Sequence, residues 1–132
     1  VVLFVGDGGI QMTIQELATI RQEGLPIKIA LLNNGYLGMV RQWQELFYDK
    51  NYCGTPLLGP EFARLAEAYG IAGITVHSKD DVVPALKHAA EVDGPVLIDF
   101  RIEQEHNVFP IVPVGRAIDD MIRRPRTDEQ PR

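Results

Sequence analysis

The apolar run Val1-Val2-Leu3-Phe4-Val5 stops abruptly at Gly6-Asp7-Gly8-Gly9, and that junction constrains the fold more than any other feature of the chain. A short, continuous apolar run rich in β-branched residues reads as a strand buried on both faces. Such strands belong to parallel sheets covered by helices. The same alternation then repeats. Over residues 12–23 the spacing turns helical, with Ile14, Leu17, Ala18 and Arg21 on one side, and Gly24 with Pro26 ends the helix. Residues 27–32 form a second buried strand that runs into Asn33-Asn34-Gly35.

A helix over 37–47 follows, with Leu37, Val40, Trp43, Leu46 and Phe47 as its apolar stripe. Residues 49–60, rich in Gly, Pro, Asn and Thr, form a loop. Residues 60–69 are helical up to Gly70, and 71–76 make a strand. Ser78 caps a further helix reaching Val92, where Asp80 and Asp81 suit the positive end of the dipole. Residues 96–102 close the series as another buried strand. The order is that of an α/β fold, a parallel sheet flanked by helices. Residues 1–115 are expected to form the domain, with an extended segment over 103–115. Residues 116–132 are expected to form a C-terminal tail, disordered from Arg123 onward. Because the chain opens inside a strand, the fold is expected to be incomplete at its N-terminus.

Composition excludes several classes of function. At 132 residues the chain has room for one core. The formal charge is −5 with acids and bases interspersed, and the Arg123-Arg124-Arg126 cluster sits beside Asp128 and Glu129, so no basic face for nucleic acid is expected. Nothing approaches the roughly 18 consecutive apolar residues of a membrane span. The single cysteine, Cys53, cannot form an internal disulfide or a cysteine-based metal site; it fits a reducing compartment and is read as a small, unreactive side chain.

The first two strand ends carry the chemistry. In a parallel sheet, ligands bind beyond the carboxyl ends of the strands. Glycines at Gly6, Gly8 and Gly9 let the backbone approach a ligand, and free amides at a helix start favour phosphate. A carboxylate among them would repel that phosphate unless a cation lay between, which accounts for Asp7. Asn34 offers a neutral amide oxygen, and Gly35 turns the chain so that a nearby carbonyl points at the same ion. Magnesium takes oxygen ligands in an octahedron, with few from protein and the rest from phosphate and water. Gly-Asp-Gly or Asn-Asn-Gly alone is most often a turn. Here each follows a buried strand, and the one helix and one strand between them place both on the same edge of the sheet. The site expected is one for magnesium diphosphate.

Gly6-Asp7-Gly8, followed 27 residues after Asp7 by Asn34, resembles the signature of thiamine-diphosphate-dependent enzymes. Gly8-Gly9-Ile10-Gln11-Met12 with Gln15-Glu16-Leu17-Ala18-Thr19 resembles acetolactate synthase large subunits. So does the more specific stretch Asn33-Asn34-Gly35-Tyr36-Leu37-Gly38-Met39-Val40-Arg41-Gln42-Trp43-Gln44. Val108-Phe109-Pro110-Ile111-Val112-Pro113 is similar to that family's C-terminal pattern. The resemblance implies a Rossmann-like thiamine-diphosphate-binding fold. It implies that Asp7 and Asn34 ligate magnesium by their side chains and Tyr36 by its backbone carbonyl, and that Gly6, Gly8 and Gly9 lie against the diphosphate. Met39, placed against both cofactor and substrate, and Trp43 would face the 2-oxo acid. Without the resemblance Trp43 reads as a core aromatic. One departure is Gly9, where the family commonly has serine; a stiffer or looser loop with intact metal binding is expected.

The resemblance also implies what lies elsewhere. No catalytic residue is expected within this chain, since the family's activating glutamate and its FAD site belong to other domains. Glu16 and Glu45 read as solvated or packing residues, and His77, His88 and His106 as structural or surface groups. The implied activity is decarboxylation of pyruvate and joining of its two-carbon unit to a second 2-oxo acid, for branched-chain amino-acid biosynthesis. The cofactor supplies that carbon chemistry. Implied partners are the missing N-terminal and FAD-binding domains, further copies of the full subunit and a regulatory small subunit. The implied location is the cytoplasm, or a plastid or mitochondrion in a eukaryote. A related thiamine-dependent decarboxylase or oxidase, or a split-enzyme subunit, is the alternative. A non-catalytic remnant or subunit-interaction domain is the alternative of another class.

Overall fold

Each apolar run becomes a strand and each glycine cluster a strand-to-helix turn. The computed structural model describes residues 1–124. In chain order the elements are β1 (Val2–Gly6), α1 (Asp7–Gln11), α2 (Glu16–Gln22), β2 (Lys28–Asn33), α3 (Gly38–Phe47), α4 (Phe62–Ala68), β3 (Ala72–Val76), α5 (Lys79–Glu91) and β4 (Val96–Arg101), with a 3-10 turn at Ile118–Asp120. The sheet is wholly parallel in the order β1-β2-β4-β3. The chain moves one way across it from β1 to β2 to β3 and reverses only from β3 to β4. Right-handed crossovers therefore put α5 on the face opposite to α1, α2 and α4.

Two cores follow from this. On one face Ile10, Leu17, Phe62, Ala66 and Ile71 meet Ile29, Leu31 and Leu97. On the other, Ala85 and Ala89 meet Val76, Val96 and Ile98. Leu97 and Ile98 are neighbours in sequence but face opposite layers, as the twofold period of a strand requires. Fully burying a leucine or phenylalanine contributes about 1.5–3 kcal/mol, so the larger cluster carries most of the apolar stabilisation. The ends of α2 and α4 are set by glycine. Gly24 and Gly70 adopt φ of 60° and 73°, and each closes a paired cap: Leu25 N–H donates to the Ile20 carbonyl, and Ile71 N–H to that of Ala66.

Three readings of the sequence need correction. β1 is not buried on both faces. It pairs with β2 alone, α5 covers only the β3–β4 half of its face, and Phe4 is 72% exposed with Val2 and Leu32 open beside it. The helix expected over 12–23 is shorter, α2 over Glu16–Gln22, and a separate α1 precedes it, because the chain turns helical at once at Asp7 and then tightens. Met12 N–H donates to Gly9, Thr13 to Ile10 and Glu16 to Thr13, bonds of the shorter three-residue span that separate α1 from α2. The third correction concerns α3, which is turned inside out. Its buried residues are Arg41 and Gln42, while Met39 and Val40 are exposed, and it contributes nothing to either core.

Beyond β4 the chain runs back past α3, and Ile111 pairs with Ile122 in an antiparallel bridge, so the described part of the tail returns along residues 103–115. Residues 125–132, on which most of the expected disorder fell, lie outside the described residues. No helix among the described residues is long and apolar enough to cross a membrane.

Candidate functional site

The carboxyl ends of β1 and β2 are adjacent because their strands are paired to the last residue, Gly6 opposite Leu32. From there Asp7 is the first residue of α1, and its carboxylate turns inward to accept the Gly35 N–H at 3.0 Å. One hydrogen bond thus joins the two loops. Asn33 Oδ1 accepts the same N–H at 3.2 Å, and Asn34 Oδ1 accepts Tyr36 N–H at 3.1 Å. These short side-chain-to-backbone bonds, with Gly35 at φ 67°, set the turn. The loop that follows α3 forms the far wall. Leu37 N–H donates to the Thr55 carbonyl at 2.9 Å and Leu57 N–H to that of Gly35 at 2.7 Å, an ordered pairing inside a stretch that composition marks only as loop.

Together these segments enclose a cleft of about 340 Å³ lined by Gly6, Asp7, Gly8, Gly9, Asn34 and Tyr36 among others. Two of its glycines are there for space. A methyl on Gly8 would stand 3.1 Å from both Leu37 Cδ2 and Leu57 Cδ1, and one on Gly38 3.0 Å from Asn34 Nδ2. Asp7 is buried, and burial pushes its pKa above the ordinary carboxylate value. The amides of Asp7, Gly8 and Gly35 and the charge of Arg101 pull against that push.

The donor set suits a hard cation. It comprises one desolvated carboxylate, the Asn34 amide oxygen with a lone pair to spare, and the Tyr36 carbonyl, which accepts no backbone hydrogen bond among the described residues. No group of three or more His, Cys, Asp or Glu placed to hold a metal ion exists among the described residues.

Met39 and Trp43 do not line this cleft. They stand one turn along α3 with Val40, around a shallow hollow of about 230 Å³. Trp43 packs edge-on against Phe47, ring centroids 5.8 Å apart, and both face Tyr48, Pro113 and Val114 across a second hollow of about 180 Å³. The site residues read from sequence therefore fall into two groups, a polar cleft at the strand ends and an apolar face on α3.

Residues 1–100 match the model of one protein family, "Thiamine pyrophosphate enzyme, C-terminal TPP binding domain". The chain belongs to that family. Among individual relatives of this TPP-binding domain, the acetolactate synthase large subunit of Corynebacterium glutamicum is 48% identical over 122 residues, covering 88% of this chain and 20% of that protein. The acetolactate synthase isozyme 2 large subunit of Escherichia coli K12 is 44% identical over 125 residues, covering 94% of this chain and 23% of that one. Among solved structures, the thiamine diphosphate-dependent 4-hydroxybenzoylformate decarboxylase of Rhodococcus jostii RHA1 superposes with a TM-score of 0.72 at 32% identity, covering 77% of this chain and 19% of that one. The TPP-binding domain spans about a fifth of the length of the curated relatives it matches.

One buried acid was not foreseen. Asp99, on the interior strand β4, is wholly buried, and neither carboxyl oxygen has a well-directed donor, although Arg101 Nη2 lies 2.9 Å away. Burial pushes its pKa up, while the Asn33 side chain and Arg101 pull it down. An acid in the middle of Val96-Leu97-Ile98-Asp99-Phe100 was the available signal, since a buried carboxylate in an apolar run is costly unless paired. The sign of its effect follows from the direction of the shift. A carboxyl whose folded pKa is raised favours the fold most below its unfolded value of about 3.8, and that contribution is lost as pH rises through the folded value. Asp99→Asn is therefore expected to be more stable than the parent chain at pH 7, with the gap closing as pH falls toward 4; chemical denaturation across that range measures it. The three histidines are exposed, and Cys53 is an exposed free thiol.

Proposed function

We propose that this domain holds magnesium thiamine diphosphate in an acetolactate synthase large subunit. The hydrogen bond from Gly35 N–H to Asp7 carries the reading, because it brings the only carboxylate that lines the cleft among the described residues to the turn that presents Asn34 and Tyr36. In this reading Asp7 supplies the charge, and Asn34 Oδ1 and the Tyr36 carbonyl supply neutral oxygen. The backbone of Gly6, Gly8 and Gly9 lies against the diphosphate. Gly9 donates its amide whether or not a serine side chain is present. The bound cofactor provides the electron sink for decarboxylating a 2-oxo acid and transferring the remaining fragment. Met39 and Trp43 form an apolar wall that orients the acceptor and keeps water from it.

No residue of this chain is assigned as the activating acid. Glu45 is engaged with Arg41 and Asn107, and Glu16 is exposed beside Thr19. The activating glutamate and the FAD site belong to other domains of the full subunit, which acts as a homo-oligomer with a regulatory small subunit in the cytoplasm, or in a plastid or mitochondrion. The open apolar side of β1, with Val2, Phe4 and Leu32, supports burial of this edge against those other domains.

The identity of 44–48% to acetolactate synthases over most of the chain favours carboligation over simple decarboxylation. The likeness to a 4-hydroxybenzoylformate decarboxylase keeps decarboxylation as the second reading. The products formed from pyruvate by the full subunit separate them: acetolactate supports the first, and acetaldehyde without acetolactate overturns it. Trp43→Leu is expected to change the ratio of products made with pyruvate and 2-oxobutyrate as competing acceptors by roughly tenfold, the scale on which a reshaped apolar pocket discriminates.

A further inference from the structure

The way α3 is held points to a role for residues on its hidden side. An amphipathic helix normally turns its apolar stripe inward. Here Gln42 is 1% exposed and Arg41 3% exposed, and both face the segment that follows β4. Gln42 makes two bonds to a single residue. Its Nε2 donates to the Val108 carbonyl at 2.7 Å, and its Oε1 accepts Val108 N–H at 2.9 Å. Beside it Arg41 Nη2 donates to Asn107 Oδ1 at 2.6 Å, Asn107 Nδ2 donates to Glu45 Oε2 at 2.9 Å, and Arg41 Nη1 meets the same Glu45 oxygen at 3.0 Å. The ring of Tyr52 lies under the Arg41 guanidinium, 5.8 Å away.

An amide that satisfies both backbone groups of one residue fixes rotation as well as distance, which apolar contact does not. Trp43 and Met39 project from the same two helical turns. We propose that Gln42, supported by Arg41 and Asn107, is a positioning residue for acceptor choice, acting through Trp43 by locking the rotation of α3 against Asn107 and Val108. The inference rests on the reading of Trp43 as the wall of the acceptor site. It adds that the segment after β4 sets where that wall stands.

The test uses Gln42→Leu, which removes both bonds at similar volume, with Asn107→Ala as a second variant at a half-buried position. Trp43 is the only tryptophan in the chain, so its emission and acrylamide quenching report the wall directly. In the full-length subunit the ratio of products from pyruvate and 2-oxobutyrate reports acceptor choice. Both variants are expected to red-shift and expose Trp43 and to change the product ratio by roughly threefold or more, small against the ~100-fold that a 1 Å misplacement can cost. Magnesium and thiamine diphosphate affinity should stay within about twofold, since Asp7, Asn34 and Tyr36 are untouched. Folded variants with unchanged emission overturn the proposal. So does an unchanged product ratio while Trp43→Leu changes it. A Trp43→Leu that leaves the ratio unchanged marks a different failure, that of the wall itself, and the positioning role falls with it.

Discussion

Asp7→Asn is expected to abolish the magnesium dependence of thiamine diphosphate binding while making the cofactor-free chain more stable. Asparagine is nearly isosteric and its Oδ1 can still accept the Gly35 N–H, so the tie between the β1 and β2 ends survives. What disappears is the only negative charge lining the cleft among the described residues. Groups one shell away from a metal commonly change affinity by roughly 10–100-fold, so a direct charged ligand is expected to cost at least about 100-fold. The stability change runs the other way. Burial raises the Asp7 pKa, so at neutral pH the ionised carboxylate disfavours the fold without a cation, and its contribution is favourable only toward acid. Calorimetric titration with cofactor, with and without magnesium, reads the first effect, and thermal melting without metal reads the second. A variant that binds with undiminished magnesium dependence would remove Asp7 from the metal site.

The second large effect is on folding. Gly73→Ala is expected to destabilise the domain by about 3 kcal/mol, the upper end of what overpacking costs. A Cβ at Gly73 would stand 2.1 Å from the Ala63 carbonyl oxygen and under 3 Å from that residue's carbonyl and Cα carbons. Main chain has no rotamer with which to yield. Relief requires α4 to lift from β3, which would unseat Phe62 and Ala66 from the larger core. The gain from a less flexible unfolded chain is only about 0.4–1 kcal/mol and does not compensate. For a domain of this size the melting temperature should fall by roughly 10 °C. Because the contact is with backbone, Ala63→Gly in the same chain should not rescue it. A drop of only a degree or two would mean that α4 is not seated as described.

These two residues differ in how visible they are from sequence. Asp7 stands out in the sequence as a candidate because a carboxylate among glycines at a strand end has few structural uses. Asn34 stands out as a candidate because the intervening helix and strand return the chain to the same edge, whereas Tyr36 enters only through the family resemblance. The parallel sheet, too, is written in β-branched runs and the glycines that end them. Gly73 carries no local signal, since its need for space comes from Ala63 on another element. The inner side of α3 was misread for a similar reason. Arg41 and Gln42 look like the solvated side of an amphipathic helix, and only the backbone of Val108 and the side chain of Asn107 make burial favourable for them. The exposure of β1 also escaped the pattern, because an apolar run gives composition but not whether anything covers it. Asp99 was not foreseen: an acid in an apolar strand is visible in the sequence, but the Arg101 and Asn33 side chains beside it are not.

The most direct test of the central claim replaces magnesium by manganese and follows the backbone amides by nuclear magnetic resonance. With thiamine diphosphate present, paramagnetic broadening is expected to centre on Gly8, Gly9, Asn34, Gly35 and Tyr36, and to vanish in Asp7→Asn. Broadening centred instead on the exposed acids Asp80 and Asp81, or unchanged in Asp7→Asn, would contradict a cofactor anchor at the ends of β1 and β2.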